Sequence, residues 1–509
     1  MQLIQKITSV KLGFAKEFLI AWGIALAVRA SLIFPYNYST DNYRFLNYPE
    51  HFTPVLALSE MRYWAYLLYT ILPWFGGFYP FAGAMWQIVY NGALVAFAFL
   101  LLRFLRVDLS SFARVLVCLL FVLFPYLTDL MTFNIGLPAA SLWLLAGGCA
   151  LYFSGYGGKF FLLSIILFNI SIDYQLFFTF HITAIYFGIF AAFLAWASSE
   201  RNLQTAKSLL RSSGFALVAL FLACILHLVV GKTLQVVLEI TPSSRMGFAG
   251  IVDIPDKVLL LAKMQYYFLV RPETSMPHGV KVLQLGILAM LIWPIAAAIF
   301  AKRWSVGRGF LLIGAGSFMA VSGIGVCLGI LLVAEKSVLM MRTLSGMAVY
   351  WSMVGTLAVA YNKGLARYIS IGIVCLLTFA YALNSNRQSS DFTRLGLRDR
   401  FVAGQMVERF LALPDFDKVR TVVLVHENWR FNLDGITSST GGFCGSSLIQ
   451  FWSTTATLRE VSGIPYEYPS DADKDLAERV ATGKPEWPAS GSVFIEGDVG
   501  VVVLPRPNQ

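Results

Sequence analysis

Charge is scarce in this chain of 509 residues: 13% are Asp, Glu, Lys or Arg, while 57% are apolar. A soluble domain carries about 25% charged residues, so a soluble globular protein is excluded. Cysteine is sparse as well. Of six cysteines, Cys118, Cys149, Cys224, Cys327 and Cys375 fall inside apolar runs, where the side chain behaves as a small hydrophobe. Cys444 stands alone in the polar C-terminal part, which excludes a disulfide within it. The five histidines, His51, His181, His227, His278 and His426, are scattered. None joins a cysteine at zinc spacing, and His181 and His227 are expected to be packed within spans. Nucleotide-binding signatures are missing too: there is no P-loop and no GxGxxG, which argues against nucleotide-driven chemistry on the chain. GGFCGSS at 441–447 is not a nucleophile elbow, because the residues before it do not read as a strand. No internal repeat or low-complexity tract is present.

What the chain has instead is a series of apolar runs of about 18–22 residues, the length that crosses a bilayer core. About eleven spans are expected, at 17–35, 81–102, 111–128, 135–153, 160–176, 178–197, 213–231, 280–301, 309–333, 343–361 and 367–385. Lys6, Lys11 and Lys16 precede a full-length span with no small-residue cleavage site after it, so the N-terminus does not read as a removable signal peptide. The net charge of +10 is concentrated in the short loops, a membrane pattern and not a nucleic-acid one. Arg103, Arg106, Lys159, Arg201, Lys207, Arg211, Lys302, Arg303, Arg308, Lys363 and Arg367 share one face with the N-terminal lysines, whereas the turns near Asp129 and Asp173 carry no Lys or Arg. The positive-inside rule places the N-terminus in the cytoplasm, and an odd number of spans places the C-terminal segment outside. Residues 63–75, too short for a span, are expected to lie at the outer interface with Trp64, Tyr66, Tyr69 and Trp74 as an aromatic belt.

Three outward segments are long enough to build a site. The first is Tyr36–Arg62, with Asp41, Arg44, Glu50, Glu60 and Arg62. The second runs from Lys232 to Gly279, contains Arg245 and Arg271, and includes an amphipathic stretch from Lys257 to Val270. The third is the tail. There 391–413 reads as a helix, 419–426, 492–498 and 499–505 as short buried strands, and 470–484 as a helix opened by a Ser or Asp cap. The expected organisation is a polytopic α-helical transmembrane domain, 1–385, followed by a small extracytoplasmic α/β domain, 386–509, large enough to fold alone.

Acid–base and phosphate chemistry at the outer surface is what these segments allow. Asp41 follows the first span closely, and a carboxylate beside apolar surface can have its pKa raised into the range of a general base. Arg44 and Arg62 could grip a phosphate with their planar forks. The plainer alternative has Asp41 capping an interfacial helix and the arginines holding lipid headgroups. Asp173, Tyr174 and Gln175 would bind sugar hydroxyls or simply close a tight turn. Arg29, inside the first span, is either functional or snorkels outward. His426, Glu427, Trp429 and Arg430 end the first strand of the tail in a loop with a sugar-stacking aromatic.

The run YNYSTDNYR straight after a first span, then an arginine before an interfacial helix, resembles the bacterial and phage O-antigen glucosyltransferases of the serotype-converting type II family, membrane glycosyltransferases of the GT-C class. Asp41, Asn42 and Arg44 occupy the family's YxxDDxxR motif, with Asn42 in place of a second acid, and Glu60-Met61-Arg62 stands where its Gly-Arg-Pro would be. Asp173-Tyr174-Gln175 is similar to the family's outer Tyr-Gln turn, and Met341-Arg342-Thr343 to its Pro-Arg motif. The resemblance implies an inner-membrane enzyme that moves a sugar, glucose by analogy, from a polyprenyl phosphate to O-antigen or another surface polysaccharide. In it Asp41 is the base, and Arg342, Arg62, Arg44, Arg245, Arg271 and Lys232 are candidates for the donor phosphate. Glu60, Asn42, Asp173, Tyr174 and Gln175 are candidates for substrate contact. No cofactor or metal is implied. A donor-synthesising glycosyltransferase and a small flippase are the implied partners. A transporter of lipid-linked sugars, or a transferase acting on a protein such as pilin, remains open as an alternative.

Overall fold

The computed structural model describes residues 2–33, 57–75, 83–132, 136–174, 176–198, 203–243, 253–270, 276–301, 304–329, 344–426, 446–448 and 450–505. Each of the eleven apolar stretches contains a helix. These are α1 (Gln2–Val28), α3 (Gly83–Leu105), the pair α4 (Ser111–Val122) and α5 (Pro125–Met131), α6 (Leu137–Ser154), and α7 (Phe161–Ser171). They continue with α8 (Leu176–Ser198), α9 (Leu203–Val237), α11 (His278–Phe300), α12 (Val306–Cys327), α13 (Gly346–Tyr361) and α14 (Gly364–Leu411). Among the described residues seven helices are long and apolar enough to cross a membrane, or eight if α4 and α5 form one bent span. The protein is therefore a polytopic helical membrane protein.

Two shorter helices lie between them: α2 (Tyr63–Ile71) and α10 (Ile254–Val270). At nine residues, α2 is about 14 Å long, far short of a bilayer core. Only part of the expected aromatic belt is outward-facing. Trp74 is 80% exposed, but Tyr69 is buried and the Trp64 indole N–H donates to Asn169 Oδ1. The reason is that α2 lies against α6 and the α7–α8 turn and turns those rings inward.

Breaks in the apolar helices leave backbone carbonyls without a helical N–H, and neighbouring side chains take them up. Phe124-Pro125 separates α4 from α5 and bends the pair by 57°. At that bend Arg29 Nη2 donates to the Val122 carbonyl and Ser385 Oγ to that of Leu123. Pro294 interrupts α11; having no N–H, it cannot bond Met290, four residues back. Asn362 Nδ2 donates to that carbonyl instead, at 2.8 Å. Close helix contact uses small residues: a Cβ at Gly147 on α6 would overlap the His181 ring and Ser171 Oγ. His181, as expected, is packed inside, where its Nε2 shares a hydrogen bond with Ser171 Oγ.

α14 runs for 48 residues, about 72 Å. The expected domain boundary at 385/386 falls inside this one helix, because the sequence changes from apolar to polar there without a Gly or Pro to stop it. Its C-terminal part, from Val402 to Phe410, enters a second core with α15 (Phe451–Ser462). That core covers one face of a three-stranded sheet, β1 (Thr421–Val425), β3 (Val499–Val503) and β2 (Val493–Glu496), in the order β1-β3-β2. β1 and β3 are parallel, with Thr421 opposite Val499, and β2 returns antiparallel to β3 through Gly497. Val422 and Leu424 face α14 and α15, while Val423 and Val425 face α16 (Asp471–Val480). Both faces of β1 are thus buried, which is why it reads as a continuous apolar run. Ser470 and Asp473 form a reciprocal capping box at the start of α16.

Candidate functional site

One end of the helical bundle gathers Glu60, Arg62, Asp173 and Tyr174. The backbone before α2 makes this possible. A helical turn at 57–60 closes with Arg62 N donating to the Ala57 carbonyl at 2.7 Å and Met61 N to that of Leu58 at 2.9 Å. This pair of bonds is the Schellman pattern, which needs a left-handed residue at its centre. That residue is Met61, at φ 58°, where a side chain costs about 1–2 kcal/mol. The surroundings hold it there. Its side chain lies against Gly231 of α9, and Gln235 Nε2 donates to the carbonyls of Leu58 and Ser59 at 3.0 and 3.1 Å.

The left-handed residue turns its two neighbours toward each other. Arg62 Nη2 and Glu60 Oε2 form an ion pair at 2.7 Å, with the arginine side chain 31% exposed. The guanidinium lies 4.6 Å over the Tyr174 ring, and Tyr174 stacks on Trp143 with ring centroids 5.2 Å apart and planes 3° apart. Cation, phenol and indole thus form a layered stack on α6 and the α7–α8 turn. A guanidinium held this way keeps its planar donors aimed, and an aromatic face beneath adds attraction.

Asp173 is 1% exposed, and both its oxygens are engaged. Oδ1 accepts from Trp64 N at 3.0 Å and Oδ2 from Ala65 N at 2.8 Å. Arg62, at the N-cap of α2, makes no capping bond itself, so Asp173 caps this helix from another segment. Burial pushes its carboxyl up to about 7, against the pull of the two amides and of Arg62. Asn169, one turn earlier on α7, accepts from the Tyr63 hydroxyl and the Trp64 indole and donates to the Ala223 carbonyl. Tyr63 in turn stacks on His227 at 4.9 Å.

Of the residues singled out in the sequence, Glu60, Arg62 and Tyr174 meet in one stack, and Asp173 anchors the helix beside it. Lys232 is exposed on α9, next to the Gly231 that abuts Met61. Asp41, Asn42, Arg44, Gln175, Arg245, Arg271 and Arg342 lie outside the described residues, as do Glu427, Trp429 and Arg430. Sequence reasoning missed Trp143, Asn169 and Gln235. The signal for the last two was a polar amide inside an otherwise apolar helix. Arg29 does not snorkel: it is 1% exposed, with Nε on Thr128 Oγ1 and Nη1 on Asn91 Oδ1, both at 3.2 Å.

The chain matches no family model, no curated protein and no solved structure. A half-exposed, aromatic-backed arginine with a fixed carboxylate beside it can orient an anionic group or a polyhydroxylated one at the end of the bundle.

Proposed function

We propose that this protein is a membrane glycosyltransferase that moves a sugar from a polyprenyl phosphate to a surface polysaccharide at the outer face of the membrane. The observation that supports this best is the strained Met61 turn. It costs stability yet holds Arg62 over Tyr174 and in an ion pair with Glu60, directly after the segment that contains Asp41. Backbone strain kept at a cost is a feature of working sites. In this reading Asp41 accepts the proton of an acceptor hydroxyl. The hydroxyl oxygen forms a bond to the anomeric carbon while that carbon's bond to the phosphate oxygen breaks. The electron pair leaves with the lipid phosphate, whose charge Arg62 and Arg342 meet. A carboxylate near the oxocarbenium-like centre also helps electrostatically.

The test is Asp41→Asn in purified enzyme given a polyprenyl-phosphate sugar. Transfer should fall by about 10²-fold or more while donor binding persists; near-normal turnover would remove Asp41 from the mechanism. Donor crossing the bilayer of proteoliposomes without transfer would favour a transporter instead. Arg342 has its own test. A planar fork on phosphate is poorly replaced by Lys and worse by Ala, so both variants should need more donor at matched expression. An Arg342→Lys enzyme with wild-type donor dependence would reduce this residue to an interfacial anchor.

A further inference from the structure

The opposite end of the bundle holds a cleft of about 950 Å³ between α1, α3, α4 and α6. Its walls are of two kinds. Leu100 of α3, Phe14 of α1 and Val107 supply half-buried apolar surface, with Phe99 and Leu102 buried behind it, and Arg103, Arg106 and Arg114 supply charge. The three arginines are not equivalent. Arg114 is satisfied, with its guanidinium on both oxygens of Glu17 at 2.8 and 2.7 Å. Arg106, in the left-handed region at φ 52°, bonds Ser208 and Ser212 of α9 and the Gly155 carbonyl. Arg103 is exposed and lies 5.3 Å over the Phe14 ring, with no hydrogen bond or salt bridge among the described residues. Glu17 is bonded by Arg114 and also feels the charge of Arg103, and Asp108, which acts on Arg114, is the other carboxylate among the residues that line the cleft. Along the same cleft the Tyr152 and Tyr156 hydroxyls bond each other, and Tyr156 is 54% exposed.

We propose that this cleft binds an anionic phospholipid, its phosphate on Arg103 and Arg106 and its acyl chains along Leu100, Phe14 and Val107. Basic pockets between transmembrane helices on the positively charged side of a bundle take anionic headgroups in this way. The apolar wall selects a lipid over a soluble anion. The excess of arginine over carboxylate selects an anionic headgroup over a zwitterionic one, which would bring its own cation. The proposal is independent of the transfer reaction at the other end.

Phosphatidylglycerol, phosphatidylcholine and inorganic phosphate are each titrated into the purified full-length protein in detergent, following thermal unfolding and lipid retention by native mass spectrometry. Phosphatidylglycerol should be retained and raise the melting temperature, and the other two should not. Arg103→Gln should weaken phosphatidylglycerol binding about fivefold, and Arg103→Lys should keep more of it because the charge remains. Both side chains are exposed at this position, so the variants can be compared at equal folding. Equal retention of phosphatidylcholine, a shift produced as well by inorganic phosphate, or wild-type affinity in Arg103→Gln would each overturn the proposal.

Discussion

Arg29 and Arg420 show how differently the two parts of this molecule use the same side chain. Arg29 is sealed in the bundle, and its hydrogen-bond partners are an amide, a hydroxyl and a backbone carbonyl, none of them charged. Arg420, just before β1, is 36% exposed and bonds three carboxylates, Asp498, Glu467 and Asp473, at 2.8 to 3.0 Å. In the bundle there is no water to satisfy backbone groups at a helix break, so the guanidinium serves as a multi-armed donor that repairs the break. At Arg420, more than a third exposed, water competes for the charge, and the same group becomes an electrostatic staple of modest worth. The number of ion pairs a residue makes is therefore a poor guide to its importance here.

Removing Arg29 is the strongest way to break that comparison. Arg29→Ala strands the Val122 carbonyl at the α4–α5 bend and leaves Asn91 Oδ1 without its donor, while Thr128 keeps only its hydrogen bond with Ser385. A buried unsatisfied polar group costs about 1–3 kcal/mol, so a total loss of about 3 kcal/mol or more is expected, even though a buried charge is also removed. Thermal unfolding in detergent, read by monodisperse size-exclusion fraction against temperature, measures it. A variant as stable as wild type would mean that the bend holds without the arginine.

How much of this was legible in advance follows the same division. Each apolar run expected to be a span contains a helix, and the strands at 421–425, 493–496 and 499–503 fall inside the stretches read as strands. Periodicity and length carry that information locally. α15 was not legible: FWSTTATLREVS is rich in Thr and Ser, poor helix formers, and it is helical because Thr455, Thr457 and Leu458 are buried in the tertiary core. The length of α14 was hidden because nothing breaks it where composition changes. At the candidate site the motif residues Glu60, Arg62 and Tyr174 were visible, but their stack depends on Trp143 and on a left-handed Met61 held by Gly231. No local pattern announces a strain that is supported from another helix. Arg29 was visible as an intramembrane charge, but its acceptors lie some 60 to 100 residues away in sequence, between 62 and 99.

The two regions also give opposite pH responses. Asp173 is raised to about 7 by burial. A raised carboxyl favours the docked state most in acid, and that contribution declines as pH rises from the ordinary aspartate range through about 7 and is level above it. Burial also pushes Asp473 up, but the Ser470 hydrogen bonds and the Arg420 charge prevail and hold it below its usual value. Its contribution is complete above the ordinary aspartate range and is lost only as pH falls through the lowered value. Hydrogen exchange, corrected for intrinsic rates, should therefore show protection of α2 amides falling between pH 5 and 8 while α16 amides do not change. Asp173→Asn should flatten the α2 profile. An α2 profile that is already flat in wild type would remove the linkage.

The smallest effect is expected at Arg420, and it sharpens the contrast from the other side. Arg420→Ala removes three ion pairs, yet the side chain is more than a third exposed and its partners can turn to water. Exposed pairs contribute about 0–1 kcal/mol each and are not additive, so a loss of about 1 kcal/mol for the whole set is expected. Salt should screen it: the gap between wild type and variant narrows as ionic strength rises and the Debye length falls to about 3 Å at 1 M. Asp473 sits closest to behaving as a buried partner, since it also closes the capping box, and it keeps its Ser470 bonds when the arginine is gone. Unfolding of the C-terminal part, followed by exchange of β1 and α16 amides at low and high salt, measures the difference. A loss in Arg420→Ala as large as in Arg29→Ala, and unchanged by salt, would show that this staple is buried in effect and that exposure does not separate the two arginines.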